Sequence, residues 1–106
     1  MTQILLVLTT VATRADAERL ARAMVGQRLA ACAQISHIDS VYRWQGALQA
    51  EPEFRLLLKT SAERGPALQA ALRAQHPYEL PAIVALSCTD ALPEFAQWVA
   101  AEVAPG

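Results

Sequence analysis

Residues 33–60 have the sequence AQISHIDSVYRWQGALQAEPEFRLLLKT, which contains two segments of alternating side chains joined by a bend. The alternation of side chains from Ala33 to Trp44 predicts one long strand. A second alternating segment, from Phe54 to Thr60, predicts another. Gln45-Gly46 can begin the bend, and Pro52 interrupts the ladder before the second strand. The stretch therefore predicts a hairpin with an irregular tip.

The residues before the hairpin predict a strand followed by a helix. Ile4–Thr10 is a short run rich in branched apolar residues, which is typical of a buried strand. Thr13 then precedes Asp16 by three residues, the spacing of a capped helix start. Apolar residues recur at helical intervals from there to Gly26, where we expect the helix to end.

The residues after the hairpin predict a helix, a strand and a further helix. Thr60 and Glu63 repeat the capping spacing, and the second helix must stop before Pro77, because proline clashes with a helical residue in front of it. The apolar run Ala82–Ser87 predicts another central strand. Apolar side chains at helical spacing after Pro93 predict a closing amphipathic helix.

The predicted order is that of a ferredoxin-like βαββαβ chain with an added C-terminal helix. This is an α+β fold in which an antiparallel sheet carries helices on one face. The other face needs a cover, because Tyr42, Trp44 and the run Leu56–Leu58 place apolar side chains on both sides of the hairpin. We therefore expect the chain to associate with itself through the sheet.

The composition indicates one compact domain over residues 1–106. The chain is 54% apolar and 18% charged, with a formal charge of -1. Its basic residues are scattered singly, which argues against nucleic-acid binding. No segment approaches the roughly 20 apolar residues that cross a bilayer, so we expect no membrane partner. The N-terminal residues resemble no secretion signal, and we expect a cytoplasmic protein.

The segment His76–Pro81, HPYELP, is the first candidate site. Its two prolines stiffen the chain and would hold His76 and Glu79 in place, which lowers the entropy lost on binding. An imidazole and a carboxylate suit Cu(II) or Zn. With two His and two Cys in the chain, any metal site is open, weak or shared between subunits. In the alternative interpretation, His76 only caps a helix C-terminus and Tyr78 only packs.

Other candidate residues lie in or beside the hairpin. Those predicted to line a cleft or bind an effector, together with Tyr78, are Tyr42, Trp44, Glu51 and Lys59. Cys32 is a third candidate metal ligand, with a buried, inert thiol as the alternative. The chain contains no phosphate-binding glycine loop and no hydrolase or zinc-protease motif. We therefore expect neither an enzyme nor an organic cofactor.

Several stretches together resemble the CutA divalent-cation tolerance family over nearly the whole chain. They are LAAC at 29–32, S-x-Y-x-W-x-G at 40–46, Glu51 and Glu53, LKT at 58–60, HPYE with Pro81, and Trp98. The resemblance implies a cytoplasmic homotrimer, packed through its sheets and linked to tolerance of copper and other divalent cations. It also implies a likeness to trimeric PII signalling proteins, which bind effectors in clefts between subunits.

The chain departs from the family pattern at positions that bear on metal binding. Thr9 and Thr10 stand where some members carry a cysteine, and Ala82 stands where a glutamate is common. With these ligands missing, we expect micromolar or weaker metal binding through His76, Glu79 and Cys32. Three hypotheses remain open: a metal-responsive trimer, a PII-like trimer with a small anionic effector near Lys59, and a purely structural assembly protein.

Overall fold

The computed structural model describes residues 3–105, which form four strands and three helices. In chain order these are β1 Ile4–Val11, α1 Arg14–Gly26, β2 Cys32–Trp44, β3 Ala47–Ser61, α2 Gly65–Gln75, β4 Ile83–Ser87 and α3 Pro93–Val103. The predicted order of elements is confirmed. No helix within residues 3–105 has the length and apolar character needed to cross a membrane.

The sheet has the order β2-β3-β1-β4, and every neighbouring pair is antiparallel. This is the strand order of the predicted split βαβ arrangement. β1 pairs only with the second half of β3, from Val11 opposite Phe54 to Ile4 opposite Ser61. The first half of β3, residues 47–53, therefore pairs with β2 alone, and the hairpin projects beyond the rest of the sheet.

The hairpin is more regular than predicted. Trp44 pairs with Ala47, so only Gln45 and Gly46 form the turn. Both have positive φ, 50° and 79°, which is the geometry of a type I′ turn. β3 continues through Pro52, which lies opposite Asp39. Proline is tolerated there because this part of β3 has no strand on its second edge. The predicted irregular tip and the predicted strand start at Phe54 were wrong.

The predicted N-terminal cap agrees with the structure for α1 but not for α2. The Thr13 hydroxyl accepts a hydrogen bond from the Asp16 backbone N–H at 3.1 Å, as the spacing predicts. The cap of α2 was predicted wrongly, since its N-cap is Arg64 and the Arg64 side chain makes no capping hydrogen bond. The Thr60 hydroxyl instead donates to the Leu29 carbonyl at 2.8 Å. The helix ends at Gln75, before the proline, as predicted.

The helices occupy both faces of the sheet, which corrects the prediction of helices on one face. α1 and α2 cover Val7, Val11, Leu56 and Leu58, which form the main core with apolar residues of both helices. Because side chains alternate along a strand, Ile4 and Leu6 point to the opposite face, where they pack with α3. An amphipathic helix pattern is the same for either face, so the sequence alone could not decide between them.

α3 covers only one end of this second face. On the same face β4 leaves Val84 and Leu86 each 54% exposed. At the projecting end of the hairpin, Val41 is 69% and Leu48 is 71% exposed. The exposed apolar side chains therefore lie on the uncovered part of the sheet face and on the projecting hairpin.

Candidate functional site

The loop from His76 to Ala82 joins α2 to β4, and the His76 ring fixes its start. The ring Nε2–H donates to the Thr10 carbonyl at 3.0 Å, and Nε2 also lies 2.9 Å from the Thr9 hydroxyl. Nδ1 accepts the Tyr78 backbone N–H at 3.1 Å. A carbonyl only accepts and an N–H only donates, so these partners assign the neutral Nε2–H tautomer. Burial lowers the pKa of His76, outweighing the Thr10 bond that raises it.

The loop places the Tyr78 hydroxyl against the buried carboxylate of Glu53. The hydroxyl donates to Glu53 Oε2 at 2.7 Å, and Glu53 is only 7% exposed. Burial and the hydrogen bond to the negatively charged Glu53 raise the pKa of Tyr78 well above its ordinary value. The phenol therefore stays protonated at neutral pH and serves as a hydrogen-bond donor.

A second phenol and carboxylate pair lies on the hairpin beside the first. Ser40 pairs with Glu51 across β2 and β3, so Tyr42 is a diagonal neighbour of Glu51 on the same face. The Tyr42 hydroxyl donates to Glu51 Oε2 at 3.3 Å. Burial and the charge of Glu51 raise the pKa of Tyr42 as well. Both phenols thus donate to carboxylates at neutral pH.

The loop and the hairpin enclose a surface pocket of about 790 Å³. Its acidic side chains are Glu53 and Glu79, its aromatic side chains are Tyr42, Trp44 and Tyr78, and the remaining lining residues are Thr10, Ser40, Val41, Leu80, Pro81 and Ala82. No Lys, Arg or His belongs to this described lining. The pocket is therefore apolar in its walls and negative in charge, and it suits a cation better than an anion.

The structure gathers some of the predicted site residues and separates others. Tyr42, Trp44, Tyr78 and Glu79 line the pocket, while Glu51 supports it through Tyr42. His76 anchors the loop without being part of the lining.

Lys59 and Cys32 lie elsewhere in the sheet. They pair with each other across β3 and β2, six residues along β3 from Glu53, or about 20 Å at the rise of a strand. The Lys59 ammonium lies 5.5 Å from the centre of the Phe95 ring. Neither residue is part of the pocket lining.

The donor set within one chain does not make a complete metal site. Among residues 3–105 no group of three or more His, Cys, Asp and Glu side chains is placed to hold a metal ion. His76 Nδ1, its only free lone pair in the Nε2–H tautomer, is already engaged by Tyr78. A metal held here would need carboxylates of a second subunit or a rearranged loop.

Sequence reasoning named Glu53 in the family resemblance but did not assign it to the cleft. The predicted strand began at Phe54, which placed Glu53 before the ladder, whereas Glu53 pairs with Ile38 inside it. The available signal was the spacing of Glu51 and Glu53, which places both carboxylates on one face of an extended chain. Thr10 and Ala82 stand where some members of the CutA family carry candidate metal ligands, and both line the pocket.

The fold and the pocket define a small α+β protein with a split βαβ sheet and an acidic, aromatic binding pocket. Residues 5–102 match the family described as CutA1 divalent ion tolerance protein. The divalent-cation tolerance protein CutA of Thermus thermophilus is 40% identical over 94 residues, covering 88% of this chain and 91% of that protein. The chain therefore belongs to the CutA family.

Solved structures agree with this assignment. The divalent ion tolerance protein CutA1 from Ehrlichia chaffeensis superposes with a TM-score of 0.93 at 36% identity, covering 99% of each chain. CutA from Synechococcus elongatus gives a TM-score of 0.93 at 39% identity, covering 98% of this chain and 93% of the other. The likeness extends over the hairpin and the helices alike.

Proposed function

We propose that this protein acts in divalent-cation tolerance as a cytoplasmic, non-catalytic homotrimer with a cation site in the pocket. Membership of the family supports the tolerance role. The observation that carries the cation site is the pocket lining, in which Glu53 and Glu79 are the charged side chains and no described basic residue opposes them. The relatives are named as tolerance proteins, which agrees with a binding role.

The shape of the chain supports self-association. A compact chain of this length has a radius of gyration of about 13 Å, whereas this one has 14.4 Å and a long axis of 45 Å. The uncovered sheet face carries Val84 and Leu86, and β2 is an edge strand of 13 residues. A long open edge and an apolar face are both features that proteins normally cover.

A divalent cation, copper in the first instance, would bind weakly because one chain supplies few ligands. Glu79 and Glu53 offer carboxylate oxygens, and His76 contributes only if Nδ1 releases the Tyr78 N–H. We expect the remaining ligands to come from a neighbouring subunit, since structural sites need about four ligands. Because Lys59 lies far along β3, the described lining of the pocket contains no cationic group for an anionic effector.

Titration calorimetry with Cu(II) tests the metal site. Glu79→Gln and His76→Ala should each weaken binding, whereas His37→Ala, which changes an exposed histidine outside the pocket, should leave it unchanged. Equal Cu(II) affinity of wild type, Glu79→Gln and His76→Ala would refute the assignment of these ligands. Circular dichroism spectra of the variants show whether they keep the fold.

A further inference from the structure

The pocket combines three features that together specify a type of ligand. Glu53 is a carboxylate more than nine-tenths buried, yet it lines the pocket. Its Oε2 accepts the Tyr78 hydroxyl, and its Oε1 accepts no hydrogen bond from residues 3–105. Among residues 3–105 the fully buried side-chain atom without a partner is Arg64 Nε, so Glu53 Oε1 is reached by solvent or by a ligand in the pocket. The free oxygen therefore marks the place where a ligand would bind.

The side chains around Glu53 do not resemble a metal cage. The two nearby phenols stay protonated and donate to carboxylates, so they leave few oxygen atoms to coordinate an ion. Hard divalent cations take six or more oxygen ligands, and transition metals favour imidazole or thiolate. Within the described chain no group of three such ligands exists. The negatively charged pocket therefore suits a cation that needs fewer direct ligands than a metal ion.

Trp44 and the apolar residues of the pocket determine which kind of cation fits. Trp44 lines the pocket and is 41% exposed, so part of its ring is free for contact. An indole face attracts ammonium groups through its quadrupole. Val41, Leu80 and Pro81 line the same pocket and offer apolar surface to a carbon skeleton. A volume of about 790 Å³ is in the range of pockets that hold small organic molecules.

We propose that this pocket binds an organic ammonium ion, with the ammonium group on Glu53 and the apolar body against Trp44 and Leu80. Such a ligand needs one charge-assisted hydrogen bond to a carboxylate rather than a complete coordination shell. The proposal shares the pocket with the proposed metal site but does not rest on metal binding. Both proposals use Glu53, but this one assigns Trp44 as the second recognition residue, whereas the metal proposal assigns Glu79 and His76.

A series of three matched probes tests the proposal on the unmodified protein. Phenethylammonium, phenethyl alcohol and phenylacetate share a phenyl ring and differ in the charge of the end group. Metal ions are first removed with EDTA, which is then dialysed away, and binding is measured by titration calorimetry at neutral pH in phosphate buffer, which contains no competing amine. Phenethylammonium should bind at least about tenfold more tightly than the alcohol, and phenylacetate most weakly. Equal binding of the ammonium and the alcohol, or tighter binding of phenylacetate, would overturn the proposal.

Substitutions then locate the site. Glu53→Gln keeps the size of the side chain and removes its charge, so it should reduce phenethylammonium affinity at least about tenfold and leave the alcohol unaffected. Trp44→Leu should weaken both probes. Glu63→Gln removes an exposed carboxylate that is not part of the pocket and should change neither. Wild-type ammonium affinity in folded Glu53→Gln would overturn the assignment of the site, even if Cu(II) binding persists.

Discussion

Single side chains hold the pocket in shape, and Tyr78 shows this clearly. The Tyr78 hydroxyl donates a hydrogen bond to the carboxylate of Glu53, which is 7% exposed. Tyr78→Phe removes the donor and leaves the buried charge, which should lower the free energy of unfolding by about 1 to 3 kcal/mol. Urea denaturation measures the change. Tyr42→Phe is the matched control, because its partner Glu51 is exposed, and it should have a clearly smaller effect. Equal losses in the two variants would contradict this account.

His76 gives the protein a pH dependence whose sign follows from its surroundings. Burial lowers its pKa below the ordinary 6.5 in the folded state, against the opposing influence of the Thr10 bond and the charges of Asp16 and Glu53, while Arg19 lowers it further. The unfolded state therefore takes up a proton first as the pH falls. The stability that neutral His76 contributes is complete above pH 6.5 and is lost as the pH falls from there towards the folded pKa.

Urea unfolding on both sides of pH 6.5 tests this contribution. Wild type should lose stability below that pH, and His76→Gln should remove that part of the slope because glutamine does not titrate. His37→Gln changes an exposed histidine and should keep the wild-type slope. A slope that is the same in wild type and His76→Gln would show that His76 does not cause it.

Among the helices and strands, the sequence predicted those features that depend on residues close together along the chain. Alternation predicted β2, and the Thr13 spacing predicted the start of α1, because both depend on neighbours along the chain. The early start of β3 was missed because Pro52 breaks a local rule that holds only where a strand has two partners. The face on which α3 lies was missed because an amphipathic helix fits either side of a sheet.

The same reasoning explains which of the predicted site residues lie together. Tyr42, Trp44, Tyr78 and Glu79 were predicted and line one pocket, since the loop and the hairpin meet there. Lys59 was predicted with them but lies about 20 Å along the strand, because each residue of a strand advances by about 3.3 Å. Nearness in sequence on a long strand does not mean nearness in space.

The hairpin turn gives a prediction at this scale. Gly46 has φ of 79°, and a Cβ placed there meets no atom within 4 Å, so the cost of Gly46→Ala lies in the backbone alone. We expect a loss of about 1 to 2 kcal/mol in the free energy of unfolding, measured with urea. Gly26→Ala is the matched control, since Gly26 lies in α1 with equal space and should gain up to about 1 kcal/mol. A stabilised Gly46→Ala would disprove the type I′ assignment.

At the scale of the whole molecule, the open sheet face sets the expected assembly. Leu86 is 54% exposed on β4 beside Val84, on the face that α3 leaves uncovered. If three copies close over this face, Leu86→Asp buries an unpaired carboxylate in each interface, which costs several kcal/mol per site. Sedimentation velocity should then show trimers for wild type and monomers for the variant.

Val25→Asp is the control for this assembly, because Val25 is an apolar residue of α1, 38% exposed and away from the open face. It should sediment like wild type. The melting temperature of wild type should also rise with protein concentration, because association stabilises only the folded chain. A Leu86→Asp protein that remains trimeric at every concentration would place the interface elsewhere. The hairpin, with Val41 69% and Leu48 71% exposed, would then be the surface to substitute next.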